Sequence, residues 1–169
     1  MKINYQKASF NNISEIMDII RYAVRNMEQE RIYQWDELYP AEKDIINDIN
    51  NGELYVGRVN EKIAVIYVIN SYCDEEYNNG EWQNPNANYQ IVHRLCVHPD
   101  FQNNGIAKAT MQHIETELCQ SDVEAIRLDA FTENPYALKL YQNLGYSIVG
   151  YADWRKGRFY LMEKYIKGN

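Results

Sequence analysis

The chain has 169 residues, enough to bury one sizeable core and too few for two comfortable domains. Hydrophobic residues make up 46% and charged residues 24%, with 24 acidic against 17 basic side chains and a net charge of −7. That balance speaks against nucleic-acid binding through a broad basic face, and it mildly favours a cationic partner such as an amine. Fifteen tyrosines, each an apolar ring with a polar tip, suit a cleft that is both dry and hydrogen-bonding, or simply an amphipathic rim. Cys73, Cys96 and Cys119 show neither paired nor metal-like spacing, which fits a reducing cytosol, with Cys96 as a small buried side chain. The first residues lack the apolar core of a signal peptide, and the longest apolar run, Ile63 to Ile69, is too short to cross a bilayer. The expectation is a cytoplasmic protein with no membrane partner, no nucleic-acid partner and no metal.

In chain order, residues 2–8 read as a short strand. Asn12 with Glu15 three residues later resembles a helix-starting capping arrangement. Ile13, Ile16, Met17, Ile20, Ala23, Val24 and Met27 then recur at helical spacing to about residue 28. An aromatic stretch ends at Pro40, and a second helix over 41–50 buries Ile45, Ile46 and Ile49. Strands over 53–59 and 62–70 flank Asn60-Glu61, a tight-turn pair. Residues 71–88 form a long polar connection of the kind that is often functional or mobile. A strand over 89–97, a helix over 105–120 and a strand over 125–131 follow. Asn134 caps a helix that Pro135 opens and Gly145 ends, and strands over 146–152 and 158–166 close the chain. The order β-α-α-β-β-β-α-β-α-β-β predicts one α/β (α+β) domain over residues 1–169, with helices covering a mostly antiparallel sheet.

The segment from Ile91 to Ala107 is the most informative. An apolar strand exits at Val97-His98-Pro99 into a short polar turn, and that turn opens a helix. Free backbone N–H groups and the positive end of the helix dipole converge there, the equipment of an anion site. Gly105 lets a large anion approach the backbone, and the start of the helix carries Lys108 and no acidic residue before Glu115. A phosphate loop of the nucleotide-binding kind does not fit, because the Gly-Lys-Ser/Thr spacing is missing.

Gln102-x-x-Gly105-x-Ala107 resembles the Gln/Arg-x-x-Gly-x-Gly/Ala signature of the GCN5-related N-acetyltransferases (GNAT). Asn134-x-x-Ala137-x-x-x-Tyr141-x-x-x-Gly145-Tyr146 is similar to that family's later motif, an Asn-capped helix ending in a Gly-aromatic pair. The resemblance implies a mixed seven-stranded sheet flanked by helices on both faces, and transfer of an acetyl or other acyl group from acetyl-CoA to an amine. It implies coenzyme A held by Leu95, Cys96, Val97, Gln102, Asn103, Asn104, Gly105, Ile106, Ala107, Lys108, Asn134 and Tyr141. The strands 91–97 and 125–131 would splay to admit the pantetheine arm, and Tyr141 would protonate the leaving thiolate. The sequence departs from the family at Asn103 and Asn104, where a basic residue and a further glycine are usual. Asparagine tolerates left-handed backbone, so the loop keeps its shape while giving up a positive charge.

His93 is the first candidate for the general base, from its intrinsic pKa and its place on the central strand; a packing role is the other reading. Tyr33 and Trp35, with Glu75 and Glu76 beside Asp74, are the candidate acceptor-binding residues, the carboxylates drawing a cationic amine toward an aromatic mouth. A solvated acidic loop is the plainer meaning of that run. The acceptor is thus a small-molecule or peptide amine, and the resemblance leaves room for a homodimer. The alternative function is a coenzyme A-binding sensor without useful catalysis.

Overall fold

The computed structural model describes residues 2–167. Four helices, α1 (Ile13–Gln29), α2 (Glu42–Asn50), α3 (Ile106–Cys119) and α4 (Pro135–Asn143), alternate with strands among the described residues. The strands are β1 (Asn4–Lys7), β2 (Leu54–Val59), β3 (Lys62–Asn70), β4 (Tyr89–Val97), β5 (Ala125–Phe131), β6 (Ser147–Trp154) and β7 (Gly157–Tyr165). They hydrogen-bond in the order β1-β2-β3-β4-β5-β7-β6. β1/β2, β2/β3, β5/β7 and β6/β7 are antiparallel, while β4 and β5 run parallel. This is the mixed, mostly antiparallel sheet predicted from the element order.

Two compact units divide the chain, one running to Ile69 and including Arg94–Thr110, the other comprising Asn70–His93 and the chain from Met111. In the first, α1 turns Ile16, Ile19, Ile20 and Ala23 inward onto Ile45 and Ile49 of α2 and onto Leu54, Val56, Ile63, Ile66, Val68 and Cys96. The 3.6-residue period of α1 meets the two-residue period of the strands there. A second cluster joins Val59, Ala64 and Val65 with Ile106 of α3, Leu95 and Val97. Cys96 packs in one cluster and its neighbours in the other, as alternation along β4 requires. Asn60 and Glu61, at φ 48° and 67°, close the β2–β3 hairpin in the left-handed conformations of a primed turn.

Two expectations change. Glu15 does not reach back to cap α1; its carboxylate accepts from the Ile63 N–H at 2.8 Å and from Arg58 at 3.2 Å, tying α1 to the hairpin. Ser9 instead donates its N–H to the Asn12 side chain, in a short 3-10 turn that leads into α1. In α2 the inward position is taken by Asp48 rather than Ile46, which is only half-buried.

In the second unit, Tyr77, Ile91, Ala152 and Leu161 form the core with Trp82, Tyr89 and Trp154 around them. Residues 71–88 are therefore not a loose connection. Glu81 N–H bonds the Val149 carbonyl at 2.8 Å, Gln83 N–H bonds Glu163 at 2.9 Å, and the Trp82 indole bonds the Tyr77 carbonyl at 2.9 Å. Beneath them Arg127 lies between the rings of Trp82 and Tyr89, 4.3 and 3.9 Å from their centroids, and pairs with its cross-strand neighbour Glu163 at 2.9 Å. The segment carries no cation of its own, so β5 supplies one from below. Gly150 of β6 makes this packing possible, since a Cβ there would stand 2.7 Å from the Asn79 carbonyl oxygen. Gly150→Ala is expected to lower stability by about 1–3 kcal/mol, because backbone must move to admit the methyl group. Urea unfolding followed by tryptophan fluorescence checks this.

Candidate active site

In the first unit, β4 runs through Val97 into a 3-10 turn (Pro99–Phe101) that His98 caps by accepting from Asp100 N–H at 3.1 Å. Asn103 (φ 60°) and Gly105 (φ 75°) then take left-handed conformations. Asparagine at 103 thus keeps the loop shape, as expected, without a glycine. Nothing lies within 4 Å of where a Cβ would stand on Gly105, so its outer side is open. The Ala109 N–H bonds the Gly105 carbonyl at 2.9 Å, the first such bond of α3. The N–H groups of Ile106, Ala107 and Lys108 precede it and have no helix carbonyl to meet. The first turn of α3 holds no acidic residue, and Lys108 is exposed.

The Gln102 side chain is engaged inside the protein. Its oxygen accepts from the Asn26 amide of α1 at 3.1 Å, and its nitrogen donates to the Val97 carbonyl at 3.4 Å. It fixes the turn against α1 and the strand end, leaving anion contacts to main-chain groups. Cys96 is buried, and burial pushes its thiol up to about 12, which leaves it an inert packing group. Leu95 and Val97 turn their side chains into the core, so the polar groups they can offer are main-chain ones.

Arg94 adds a feature the sequence reading passed over. It sits in β4 at φ 51°, donates to Asp48 Oδ1 at 2.9 Å, and donates to the Tyr39 hydroxyl at 3.0 Å. Asp48 is 2% exposed. Burial pushes its carboxyl up to about 6 although Arg94 pulls it down. Of the expected acceptor residues in this unit, Tyr33 is exposed, whereas Trp35 is buried in the α1/α2 core and can act only as a support.

In the second unit, Asn134 caps α4 by accepting from Ala137 N–H at 3.1 Å, as its position predicts. Tyr141 is buried, and burial, then the nearby Asp129 carboxylate, push its phenol well above the ordinary range. It therefore holds its proton throughout neutral pH. Asp129, on β5, accepts a 2.7 Å hydrogen bond from Tyr77 OH. The sequence reading missed Asp129, and the signal was a lone carboxylate in the apolar strand Ala125–Phe131, five residues before the cap. His93 Nε2 faces Asn70 Oδ1 at 2.9 Å and the Tyr72 carbonyl at 3.2 Å. Neither oxygen can donate, so this nitrogen carries the proton and cannot receive one. Glu75 is exposed and Glu76 half-buried, while Tyr77 after them turns into the core.

The family model for the acetyltransferase (GNAT) domain matches residues 50–148. The chain belongs to the GNAT acetyltransferases. As a GNAT protein it is an acyltransferase. Among its relatives is the uncharacterized N-acetyltransferase YesJ of Bacillus subtilis, 26% identical over 136 residues, covering 79% of this chain and 73% of YesJ. A GNAT-family acetyltransferase from Streptococcus agalactiae superposes with a TM-score of 0.86 at 24% identity, over 99% of this chain and 96% of that one. The PaiA N-acetyltransferase of Thermoplasma acidophilum, crystallised in complex with coenzyme A, does so with 0.72 at 15% identity, over 98% and 99%. These two likenesses establish the fold. Among the described residues no helix is long and apolar enough to cross a membrane, and no group of three or more metal-ligating side chains occurs.

Asp48 gives a pH test. Its carboxyl holds a proton more tightly folded (about 6) than in the unfolded reference (3.8). Its contribution to stability is thus complete below 3.8 and lost as pH rises through 6. Wild type is expected to gain stability relative to Asp48→Asn as pH falls from 7 toward 4. Denaturant midpoints at several pH values read the difference; a gap independent of pH contradicts the shift.

Proposed function

We propose that this GNAT protein moves an acetyl group from acetyl-CoA to the amine of a small molecule or peptide by direct attack within a ternary complex. The observation that carries this is the turn at 102–108: left-handed backbone at Asn103 and Gly105, an open side at Gly105, and helix-start N–H groups with no acidic neighbour. Such a cradle fits a pyrophosphate, which needs several donors and no Cβ in its way. On this reading the main chain from Asn103 to Lys108 holds the pyrophosphate, Lys108 supplies the cation that Asn103 and Asn104 do not, and Asn134 contacts the pantetheine. The β4/β5 register covers Tyr89–Ile91 opposite Ala125–Arg127, which supports leaving the later amides of β4, at Leu95 and Val97, for the pantetheine and thioester carbonyl. Bound acetyl-CoA supplies the activated acyl group.

The chain's own residues manage the protons. Tyr141, kept protonated by burial, is the acid that donates to the departing sulfur. Asp129, which accepts from Tyr77 and whose charge acts on Tyr141, joins His93 as a proposed base; with Nε2 of His93 donating, the basic nitrogen of its neutral ring is Nδ1. Tyr33 with Glu75 and Glu76 remains the proposed acceptor approach, and Trp35 becomes its support. The proposal takes the chain as one cytoplasmic acyltransferase domain.

Calorimetric titration with acetyl-CoA tests the cofactor site: wild type is expected to bind in the micromolar range and Gly105→Glu to lose binding. No binding by wild type contradicts the proposal. Tyr141→Phe and Asp129→Asn are each expected to lower kcat by about 10²–10⁴-fold while acetyl-CoA affinity stays within a factor of about two. Steady-state kinetics with an accepted amine measures this; unchanged kcat in both removes the acid–base assignment.

A further inference from the structure

We propose that Arg94 is the acceptor's anchor: its guanidinium takes the carboxylate of an acceptor that carries its amine on the adjacent carbon, so the acceptor class is the free α-amino acids. The inference rests on the acyl-transfer reading above and names the substrate of that same site.

Four observations within the first unit converge on this residue. Arg94 immediately precedes Leu95–Val97, whose amides are the proposed holders of the thioester end, so its side chain leaves the backbone beside the reacting carbonyl. Its backbone stands at φ 51° in the body of β4, a conformation that disfavours any side chain and persists where the surroundings enforce it. Such strain clusters at sites where it positions a side chain. The backbone here aims a long cation toward α2 and the segment before it.

The guanidinium is only partly used. Its side chain is 15% exposed, and it gives one bond to Asp48 and one to Tyr39, two of its five donors. Nε is buried and has no partner among the described residues, as has Asp48 Oδ2. An ion pair built only for support would meet fork to fork and satisfy both atoms. Meeting end-on instead leaves donors of a planar cation for a second planar anion. Asp48 then acts as a positioning residue, and its carboxyl, pushed up to about 6 by burial, accepts a proton readily when another carboxylate arrives.

The approach is open and of suitable chemistry. Tyr39 is 39% exposed, with its ring 5.5 Å from the Arg94 guanidinium carbon and its hydroxyl on one arm of the fork. Tyr33 and Leu38 of the same segment are also exposed. They make a mouth for a side chain, next to a fixed cation for the carboxylate. A decarboxylated amine lacks the group that the cation fits, and so does an amino-acid amide.

The test compares the twenty L-amino acids with their α-amides as acceptors, following thiol release from acetyl-CoA. Wild type is expected to prefer its best amino acid over the matching amide by tenfold or more in kcat/KM. Arg94→Lys keeps the charge and loses the fork. The double variant Arg94→Gln/Asp48→Asn removes the pair without stranding a buried charge. Both are expected to raise KM for the amino acid at least tenfold, with the amide's kinetics and the acetyl-CoA Kd within twofold of wild type. Equal use of acid and amide by wild type, or equal loss of both in the variants, overturns the inference. Turnover of amines without a carboxylate and of no amino acid overturns it too, while leaving acyl transfer standing. No thiol release with any amine overturns acyl transfer itself, and the inference with it.

Discussion

An α-helix can satisfy every backbone N–H except those of its first turn, and in α3 those groups emerge beside an open glycine with no acidic side chain to meet them. The left-handed residues Asn103 and Gly105 set the direction of the turn. Gln102 holds it by bonding the Asn26 amide and the Val97 carbonyl. Ile106 locks the helix start into the cluster that contains Leu95 and Val97. The turn, the β4 amides beside it and Arg94 at their head thus belong to one stretch of chain, Arg94–Thr110, within a single compact unit.

In the proposed mechanism the second unit manages the protons, by a different device. Tyr141 is buried and stays protonated, and Asp129 is held by a 2.7 Å bond from Tyr77. Tyr77 is held in turn because residues 71–88 are fastened over β6 and β7, through Val149, Glu163 and the close approach at Gly150. A segment that looks like a polar loop therefore serves as the support of a carboxylate. Buried polar groups arranged this way are rigid when their partners are present, which is what an acid–base pair needs.

Much of this was legible in the residues. Periodicity gave α1 and the hairpin strands, β4 and β5 were bounded to the residue, and Asn134-Pro135 and Gly145 marked the ends of α4 as found. The shape of the 102–108 turn was legible because its left-handed backbone and lack of acidic residues are local features. What escaped was long-range. Nothing local marks Asp48, whose partner Arg94 lies 46 positions away in the chain. Trp35 looked like a site wall, yet the core of α1 and α2 claims it. The setting of Asp129 was not legible because its partner Tyr77 lies in a segment whose composition reads as solvent-facing. For His93, only coordinates reveal that Asn70 and Tyr72 engage Nε2, which directs any proton uptake to Nδ1.

The central claim is that main-chain amides of the 103–108 turn bind the pyrophosphate of coenzyme A. The most direct measurement is a pair of ¹H–¹⁵N NMR titrations of the intact chain, one with coenzyme A and one with S-acetylpantetheine, which lacks the pyrophosphate. The amides of Gly105, Ile106, Ala107 and Lys108 are expected to shift strongly with coenzyme A and to stay nearly unmoved with S-acetylpantetheine. Coenzyme A binding that leaves these four amides unmoved would contradict the claim.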